Sequence, residues 1–511
     1  MKQLHDKRVF HPIKYEKLES EQKRKILRTL MFLKRKRDGS LKARTCVDGR
    51  KQQQFTLETD PASPTVSLEG LMMSLAIDAH EEREVATVDI EGAYLAVDID
   101  EEVIIEIEDE LAELLLEIDR ERYERFMRVG SDGKKKMYLQ LDKALYGCVQ
   151  SARLFYDHLC KTLESIGFEK NAYDECVLNK GVGDDQCTVT LHVDDLKISA
   201  KDKKDVEEVI EHLREVYKNI KVNRGDEHDY LGMRIVFDRR EKVARIRMDE
   251  MVDEIVAEYP EELGASVVPA GDELFKVSEQ QQALSSEKKK FFHSTVAKLL
   301  YLAKRARPDV LMATSFLCTR VQQPTLEDWR KLKKVIAYLK TTRGMGVDLG
   351  VGSGGIKSVH AYIDSSFAVH PDCKGHTGAV ITFGAGAIYC KSAKQKISAK
   401  SSTEAEIIGL SEAGSQFIWT RHFLIAQGYD IGQPVIFHDN VSAIVLTEKK
   451  TSAKQRIKHL DIKYQFLRDY VDRKEVAIKF KKSAEMLADF LTKPLHGEVF
   501  KRFRAQLLNS E

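Results

Sequence analysis

The chain is poor in cysteine, proline and tryptophan. Its 511 residues include 8 Cys, 10 Pro and 2 Trp. The cysteines are scattered, without a CxxC pair or the Cys/His spacing of a zinc site, so zinc is unsupported and a reducing, intracellular compartment is expected. The scarcity of proline predicts dense secondary structure with few linkers.

Membrane and export signals are also missing. No stretch of membrane-spanning length is free of charged residues, and the basic N-terminus lacks the apolar core of a signal peptide. We therefore expect a soluble protein that makes no membrane contact. With 511 residues, the length prior favours about three domains or more.

The net charge of +1 conceals a strong segregation of charge. Residues 1–51 hold 17 Lys and Arg against 6 Asp and Glu, whereas residues 81–125 hold 4 against 18. The basic end suits phosphate neutralisation, although residues 23–28 fit a solvated helix equally well. The acidic stretch has leucines at helical spacing, which predicts an amphipathic helix with a solvated acidic face.

A pair of adjacent aspartates, Asp194 and Asp195, lies within the apolar and β-branched segment 188–199. That pattern predicts a strand, a tight turn and a second strand. Two carboxylates at a hairpin tip repel each other unless a cation lies between them, and magnesium is the usual hard cation of phosphoryl transfer. The alternative is a solvated turn, which is our interpretation of Asp184–Asp185 after Gly183.

Another apolar strand ends in Asp89, followed by Glu91, Gly92 and Tyr94. Asp89 could join Asp194 and Asp195 around two metals, which would activate a primer 3′-hydroxyl and stabilise displacement at the α-phosphate. Asp89 with Tyr94 resembles the first catalytic motif of reverse transcriptases. Residues 192–195, His-Val-Asp-Asp, resemble their Tyr-x-Asp-Asp box, with His192 in place of the usual tyrosine.

Further blocks resemble one branch of that family, the copia-type LTR retrotransposons. Residues 145–156 (LYGCVQSARLFY) resemble the branch's Leu-Tyr-Gly-Leu-Lys-Gln-Ser-x-Arg-x-Trp-Tyr block, and residues 230–233 (YLGM) resemble its Phe-Leu-Gly element. The blocks at 298–302, 307–309 and 338–340 continue the series. Matches run in order from about residue 25 to the C-terminus, and such a series is more specific than any single motif.

The resemblance assigns roles to several residues near these motifs. Tyr94 would stack under the nucleotide sugar and exclude a 2′-hydroxyl, with ordinary core packing as the alternative. Gln150 would contact template or nucleotide, and Arg153 a phosphate or a structural partner. Residues 32–44 predict two strands around Asp38-Gly39, similar to the fingers hairpin, so Lys42 and Arg44 would hold the incoming triphosphate. A nuclear address is the competing interpretation of residues 34–37.

The last third of the chain carries a separate set of acids. Asp364 and Asp439 follow apolar strands, and Asp489 follows an apolar segment. Glu406 lies where a helical pattern begins, with Glu404 as a competing choice. The set resembles the four acids with which ribonuclease H holds two metals, and His459 matches that family's mobile histidine. We favour Glu406 because Ala405-Glu406-Ile407-Ile408 best matches the start of the family's helix.

The predicted fold class is α+β: a right-hand polymerase followed by a mixed α/β ribonuclease H-like domain. We expect fingers and palm over 1–235, thumb and connection helices over 236–350, and the ribonuclease H-like domain over 356–511. The glycine run at 350–355 is the predicted flexible boundary. Strands at 358–363, 378–383 and 387–391 and helices at 202–219, 325–340 and from residue 402 complete the prediction.

The resemblance implies an RNA-directed DNA polymerase with ribonuclease H activity. It implies two Mg²⁺ ions per active site, with Mn²⁺ as the substitute. The implied partners are an RNA template, a DNA or tRNA primer, an RNA–DNA hybrid and dNTPs, with the integrase of the same polyprotein as a further candidate.

The expected location is a cytoplasmic virus-like particle or the nucleus. Because the chain lacks protease- and integrase-like segments, we expect a fragment, a processed product or a truncated copy. The alternatives are a decayed or domesticated copy that binds nucleic acid without catalysis, and a scaffold protein whose acids are coincidental.

Overall fold

The structure is a computed structural model that describes residues 1–35, 39, 41–54, 62–278, 282–448 and 466–510. Within these ranges the strands are β1 (Phe10–Ile13), β2 (Leu27–Arg35), β3 (Leu41–Val47), β4 (Glu84–Ile90), β5 (Ile104–Glu108), β6 (Arg128–Val129), β7 (Lys135–Leu141), β8 (Glu169–Asn171), β9 (Asp174–Lys180), β10 (Cys187–His192), β11 (Asp195–Ala200), β12 (Ile220–Arg224), β13 (Glu227–Tyr230), β14 (Met233–Asp238), β15 (Val243–Arg247), β16 (Val347–Val351), β17 (His360–Ser366), β18 (His376–Thr382), β19 (Gly384–Ala385), β20 (Tyr389–Lys394), β21 (Val435–His438) and β22 (Ala477–Phe480).

Helices cover the sheets and separate them along the chain. They are α1 (Lys2–Asp6), α2 (Ser20–Lys25), α3 (Leu68–His80), α4 (Asp109–Ile118), α5 (Arg120–Tyr123), α6 (Ser151–Glu164), α7 (Lys203–Tyr217), α8 (Asp249–Glu258), α9 (Ser286–Arg305), α10 (Leu311–Cys318), α11 (Leu326–Thr341), α12 (Ser402–Ala426), α13 (Val441–Glu448) and a final helix, Gly497–Leu508. No helix in the described ranges is both long and apolar enough to cross a bilayer.

Four sheets organise the chain, and the mixture of strands and helices is the predicted α+β class. The first has the order β1-β7-β5-β2-β3, with β6 beside β7, and the second, here called the central sheet, has the order β12-β4-β11-β10-β9-β8. The third is β13-β14-β15-β16-β19, and the fourth, here called the C-terminal sheet, is β20-β18-β17-β21-β22.

The inner strands of the central sheet are buried on both faces. In β10 and β11 the residues from Cys187 to Leu191 and from Leu196 to Ala200 are buried. Helix α7 covers one face with an apolar stripe that includes Val206, Ile210 and Leu213. This spacing places the buried side chains on one side of the helix, as the sequence predicted for residues 202–219.

The C-terminal sheet combines antiparallel and parallel pairing. β17 pairs antiparallel with β18 and parallel with β21, and β21 pairs parallel with β22. Helix α12 packs closely against the sheet because Gly409 has no side chain. A Cβ atom at this position would overlap the Ser365 hydroxyl. The strand and helix positions predicted for this region are confirmed to within a few residues.

The glycine run at 350–355 is not the open linker that the sequence suggested. Gly350 belongs to β16, which pairs with β15 on one side and with β19 on the other. The Gly352 amide donates to the Phe383 carbonyl at 2.9 Å. One continuous apolar core extends from α3 to the final helix, while the first sheet has a second, smaller core. The part after residue 356 therefore shares its core with the preceding helices.

The end of α12 also packs on the central sheet through polar contacts. Asn171 Nδ2 donates to the Phe423 carbonyl at 3.2 Å, and Gln186 Nε2 donates to the Gln427 carbonyl at 2.7 Å. The Tyr429 hydroxyl donates to Glu81 at 2.8 Å. These buried hydrogen bonds fix α12 against strands β8 to β10.

Candidate active sites

The three acids of the first set lie on two neighbouring strands of the central sheet. Asp89 on β4 is in register with Asp195 on β11. Asp194 lies in the turn between β10 and β11, and its carbonyl accepts from the Ile90 amide at 3.1 Å. Because paired residues point to the same face of an antiparallel ladder, Asp89 and Asp195 share a face.

The hairpin that carries the pair has a two-residue turn. His192 pairs with Asp195, so Val193 and Asp194 form the turn. Val193 has φ of +60°, in the left-handed region that β-branched residues rarely adopt. Strain of this kind persists only where surrounding contacts impose it, and here the bond from Ile90 to Asp194 holds the turn.

Two tyrosines border these acids. The Tyr94 ring lies 4.6 Å from the Tyr146 ring. Burial and the negative charge of Asp194 raise the pKa of Tyr146 to about 12, and the same two causes raise the pKa of Tyr94. The Arg44 guanidinium lies 5.2 Å from the centre of the Tyr146 ring, so β3 brings a cation to the acids. Tyr146 belongs to the copia-like block at residues 145–156. Nothing in the sequence indicated that its ring lies beside the acids.

The acids open into a cleft of about 400 Å³ between the first sheet and the central sheet. Its charged lining residues are Arg44, Asp89, Glu91, Asp194 and Lys221. Lys221 on β12 is in register with Asp89 and forms an ion pair with Glu91. Sequence reasoning missed Lys221 because nothing around it distinguishes it from other surface lysines.

The remaining residues predicted for the first site have mixed placements. Gln150 is buried before α6, where it accepts from Gln52 Nε2 at 2.6 Å, and its own Nε2 has no partner in the described ranges. Arg153 pairs with Asp157 at 3.1 Å and lies over Tyr156, as a structural partner would. The Lys42 side chain lies outside the part of the chain that the structure describes.

The second set of acids is the more compact. Ligand atoms of Asp364, Glu406 and Asp439 lie within 4.8 Å of one another, and no other described trio of His, Cys, Asp or Glu does so. Asp364 lies on β17, Glu406 in the first turns of α12, and Asp439 directly after β21. The parallel pairing of β17 and β21 brings the two aspartates to the same end of the sheet.

The electrostatics of this trio are unfavourable for a protein alone. Burial, and then the charges of Asp364 and Asp439, raise the pKa of Glu406 to about 9. Its Oε2 atom is buried without a hydrogen-bond partner in the described ranges. An acid trio with an unpaired buried oxygen fits a hard divalent cation, which supplies the missing charge.

Asp489 completes the set beside Asp364. Lys493 Nζ lies 2.9 Å from Asp489 and 3.5 Å from Asp364. Burial and the charge of Asp364 raise the pKa of Asp489 to about 7, whereas Lys493 lowers it. The Thr492 hydroxyl donates to Asp364 at 2.5 Å and fixes that carboxylate.

Glu404 and Glu406 have different surroundings. Glu404 is partly exposed, and its carboxylate accepts from the Lys400 amide just before α12. Ser401 caps the helix, Glu404 is bonded to the residue just before that cap, and Glu406 lies with Asp364 and Asp439. His459 lies outside the described residues.

Two neighbours of the second set were missed from the sequence. The buried His438 has Nε2 at 3.8 Å from Glu406, and its Nδ1 contacts the Ile363 carbonyl at 2.7 Å. The Ser483 hydroxyl donates to Asp439 at 2.7 Å. Ser483 is 44 residues from Asp439 in sequence, and the parallel pairing of β21 with β22 brings the two together.

Comparison with known proteins adds the family. Residues 15–262 match the family described as reverse transcriptase (RNA-dependent DNA polymerase). Over 492 residues the chain is 29% identical to the retrovirus-related Pol polyprotein from transposon TNT 1-94 of Nicotiana tabacum, an alignment that covers 94% of this chain and 35% of the relative. It is 25% identical over 506 residues to the transposon Ty1-BR Gag-Pol polyprotein of Saccharomyces cerevisiae, covering 95% and 27%. The chain is therefore similar to copia/Ty1-type Pol polyproteins, and its residues 15–262 match the reverse transcriptase family.

The chain spans about a third of the length of the curated relatives that it matches. A solved structure, the foamy viral protease-reverse transcriptase in complex with double-stranded DNA, is similar with a TM-score of 0.51 at 13% identity, covering 94% of this chain and 68% of that chain. At that identity the similarity shows a shared mixed α+β fold and nothing more.

Proposed function

We propose that the chain is an RNA-directed DNA polymerase that also degrades the RNA strand of RNA–DNA hybrids. The observation that carries the polymerase assignment is the register of Asp89 with Asp195, beside Asp194, within the family-matched residues 15–262. The trio Asp364, Glu406 and Asp439 supports the nuclease assignment. Acids on neighbouring strands at the ends of two separate sheets suit two distinct phosphoryl-transfer sites.

The proposed domains keep the boundaries predicted from the sequence, and the third sheet contains strands from all three. Residues 1–235 would form fingers and palm around the first and central sheets, and residues 236–350 the thumb and connection helices. Residues 356–511 would form the ribonuclease H-like domain, supported by three antiparallel strands that continue into two parallel ones. The shared core argues that this last domain works attached to the others.

At the polymerase site, Asp89, Asp194 and Asp195 would hold two Mg²⁺ ions. Such ions supply Lewis acidity and neutralise the charge that develops on the displaced pyrophosphate. Arg44 over Tyr146 would attract the triphosphate, together with Lys42. The Tyr94 ring, held against Tyr146, would occupy the space that a ribose 2′-hydroxyl needs.

The unpaired Gln150 Nε2 would donate to the nucleotide or the template base. Gln52 fixes the other end of that amide at 2.6 Å, so the donor is oriented before any substrate arrives. This arrangement agrees with a positioning role rather than with proton transfer.

At the nuclease site, Asp364, Glu406, Asp439 and Asp489 would hold two divalent ions, magnesium or manganese. Glu406 holds a proton near neutral pH in the protein alone and must release it when a cation binds. Lys493 and Thr492 keep the Asp489 and Asp364 carboxylates in place. His459 is proposed to assist proton transfer or product release.

Primer extension on poly(rA) with an oligo(dT) primer, run with and without Mg²⁺, tests the polymerase. Release of short fragments from a labelled RNA–DNA hybrid tests the nuclease in the same preparation. Extension that requires Mg²⁺ supports the proposal. Tight hybrid binding without either reaction would identify a domesticated binding protein, and absence of both binding and reaction would leave only a scaffold.

A further inference from the structure

Two polar side chains beside the Asp194 turn have no polar partner. Arg305, the last residue of α9, is half-buried, and its Nε atom is buried without a hydrogen bond in the described ranges. Arg305 also forms no ion pair with any described residue. The Nδ1 atom of His192 is likewise buried and unpaired there. A buried N–H without an acceptor costs stability, so the arrangement suits an external anion.

Direct contacts connect Arg305 to the proposed polymerase site. Its guanidinium lies 3.6 Å from the centre of the Tyr301 ring. The Tyr301 hydroxyl donates to the Leu231 carbonyl at 2.9 Å, in the turn between β13 and β14. The preceding residue, Tyr230, donates to the Asp195 carbonyl at 3.4 Å. Helix α9 and this turn are therefore connected to Asp195 by direct contacts, the last of them through the buried Tyr230 side chain.

A second route leads to the same place from the other side. The Val66 amide donates to the Leu191 carbonyl at 3.0 Å, next to His192. Arg305 then shares a narrow crevice with Leu68 and Met72 of α3. Burial and the positive charge of Arg305 both lower the pKa of His192, which agrees with their closeness. Glu69 lines the same crevice but makes no ion pair with Arg305.

We propose that Arg305, with His192 as a second donor, binds a backbone phosphate of the strand whose 3′ end lies at Asp89, Asp194 and Asp195. The guanidinium fork matches two phosphate oxygens, and its Tyr301 platform sets its plane. A neutral imidazole can give one N–H to the same phosphate. Both are positioning residues, and the proposal rests on the polymerase function proposed above.

The test measures binding of the full chain to an RNA template annealed to a DNA primer, by fluorescence anisotropy in EDTA at several salt concentrations. The variants are Arg305→Gln, Arg305→Lys and His192→Phe. Arg473→Gln is the matched control, since Arg473 also lies over a tyrosine ring, Tyr470, but on the C-terminal part of the chain. Primers with a single uncharged methylphosphonate linkage at successive positions locate the phosphate.

Arg305→Gln should weaken binding about tenfold and reduce the slope of log K against log salt by about 0.9, the value for one phosphate contact. Arg305→Lys should retain most of the slope, and His192→Phe should lose two- to threefold in affinity with the slope unchanged. One methylphosphonate near the primer 3′ end should weaken wild type, yet have no effect on Arg305→Gln. Arg473→Gln should resemble wild type.

A wild-type salt slope in Arg305→Gln would overturn the proposal, as would a methylphosphonate effect that persists in that variant at every linkage. Thermal melting of Arg305→Lys separates loss of fold from loss of contact. The binding measurement needs no catalysis. If Arg305→Gln weakens binding but the wild-type chain cannot extend primers, the proposed phosphate contact stands and the proposed polymerase function is rejected. A chain that binds no primer–template rejects both.

Discussion

Asp89 and Asp195 face each other across β4 and β11 in antiparallel register, and Asp194 precedes Asp195 in a turn with a left-handed valine. The three acids are thus gathered by a ladder and a strained hairpin rather than by a loop. A scaffold of this kind holds carboxylates close together against their mutual repulsion.

The first prediction concerns Asp194. Asp194→Asn is nearly isosteric and removes one proposed ligand, which should cut DNA synthesis on RNA by roughly a thousandfold while the fold remains intact. Asp185→Asn, at the exposed turn before β10, is the matched control. The rate of steady-state primer extension is measured for both variants. A normal rate in Asp194→Asn would contradict the assignment of Asp194 to the polymerase site.

Sugar selection should depend on the Tyr94 ring. Tyr94→Ala opens the space against Tyr146, so incorporation of ribonucleotides relative to deoxyribonucleotides should rise by about tenfold or more. Tyr94→Phe keeps the ring and should leave the ratio unchanged. Competitive incorporation from mixed nucleotide pools measures the ratio, and an unchanged ratio in Tyr94→Ala would make Tyr94 a packing residue only.

Triphosphate binding should depend on Lys42 and Arg44. Arg44→Gln, alone or with Lys42→Gln, should raise KM for dNTPs several-fold and change affinity for primer–template little, because the Arg44 guanidinium lies over Tyr146 inside the cleft. Arg50→Gln removes an exposed arginine paired with Asp48 and serves as the control. Equal losses of dNTP and template binding would indicate a general basic patch.

The nuclease should fail independently of the polymerase. Asp439→Asn and Glu406→Gln should stop cleavage of RNA in a hybrid and spare primer extension, since the two acid sets lie on different sheets. Glu404→Gln changes only the acceptor of the Lys400 amide and should cut normally. If Glu404→Gln is inactive and Glu406→Gln is active, the assignment of the helical ligand is reversed.

Stability at acid pH should depend on a buried histidine pair. His370 Nε2 lies 3.0 Å from His376 Nδ1, and burial lowers the pKa of His370 to about 4 and of His376 to about 3. The unfolded chain binds these protons below about pH 6.5, so the free energy of unfolding should fall as pH drops from 6.5 towards 4, by up to about 1.4 kcal/mol per pH unit for each histidine. Above pH 6.5 the pair contributes no pH dependence.

Urea unfolding of His376→Gln across this range should give a shallower pH dependence than wild type. The exposed His293→Gln provides the control and should keep the wild-type slope. An identical slope in His376→Gln would mean that other groups govern acid unfolding.

Much of the fold could be predicted because periodicity is local. The apolar and β-branched residues in 188–199 predict two strands and the helical spacing in 202–219 predicts a helix with one buried face, and the structure has β10, β11 and α7 there. The gathering of acids within each set also followed from ordered family motifs. The choice of Glu406 over Glu404 agrees with the geometry because acids two apart on a helix face different directions.

Other features depend on contacts that no local pattern encodes. A glycine run has the same composition in a linker and in a strand, and the partner strands β15 and β19 place Gly350 in a sheet. Lys221 and Ser483 come close to Asp89 and Asp439 through strand pairing, and Lys493, four residues after Asp489, also contacts Asp364 on β17. The unpaired state of Arg305 is likewise a property of the packed chain.

The joining of the third sheet by β19 has a mechanical consequence. β19, from the C-terminal part, is the edge strand of the third sheet, and the end of α12 is hydrogen-bonded to the central sheet. Because of these two connections, we expect the two acid clusters to move together. The distance between the two acid clusters is then fixed. If both clusters act on one duplex, cuts in the RNA should trail the growing DNA end by one characteristic number of base pairs.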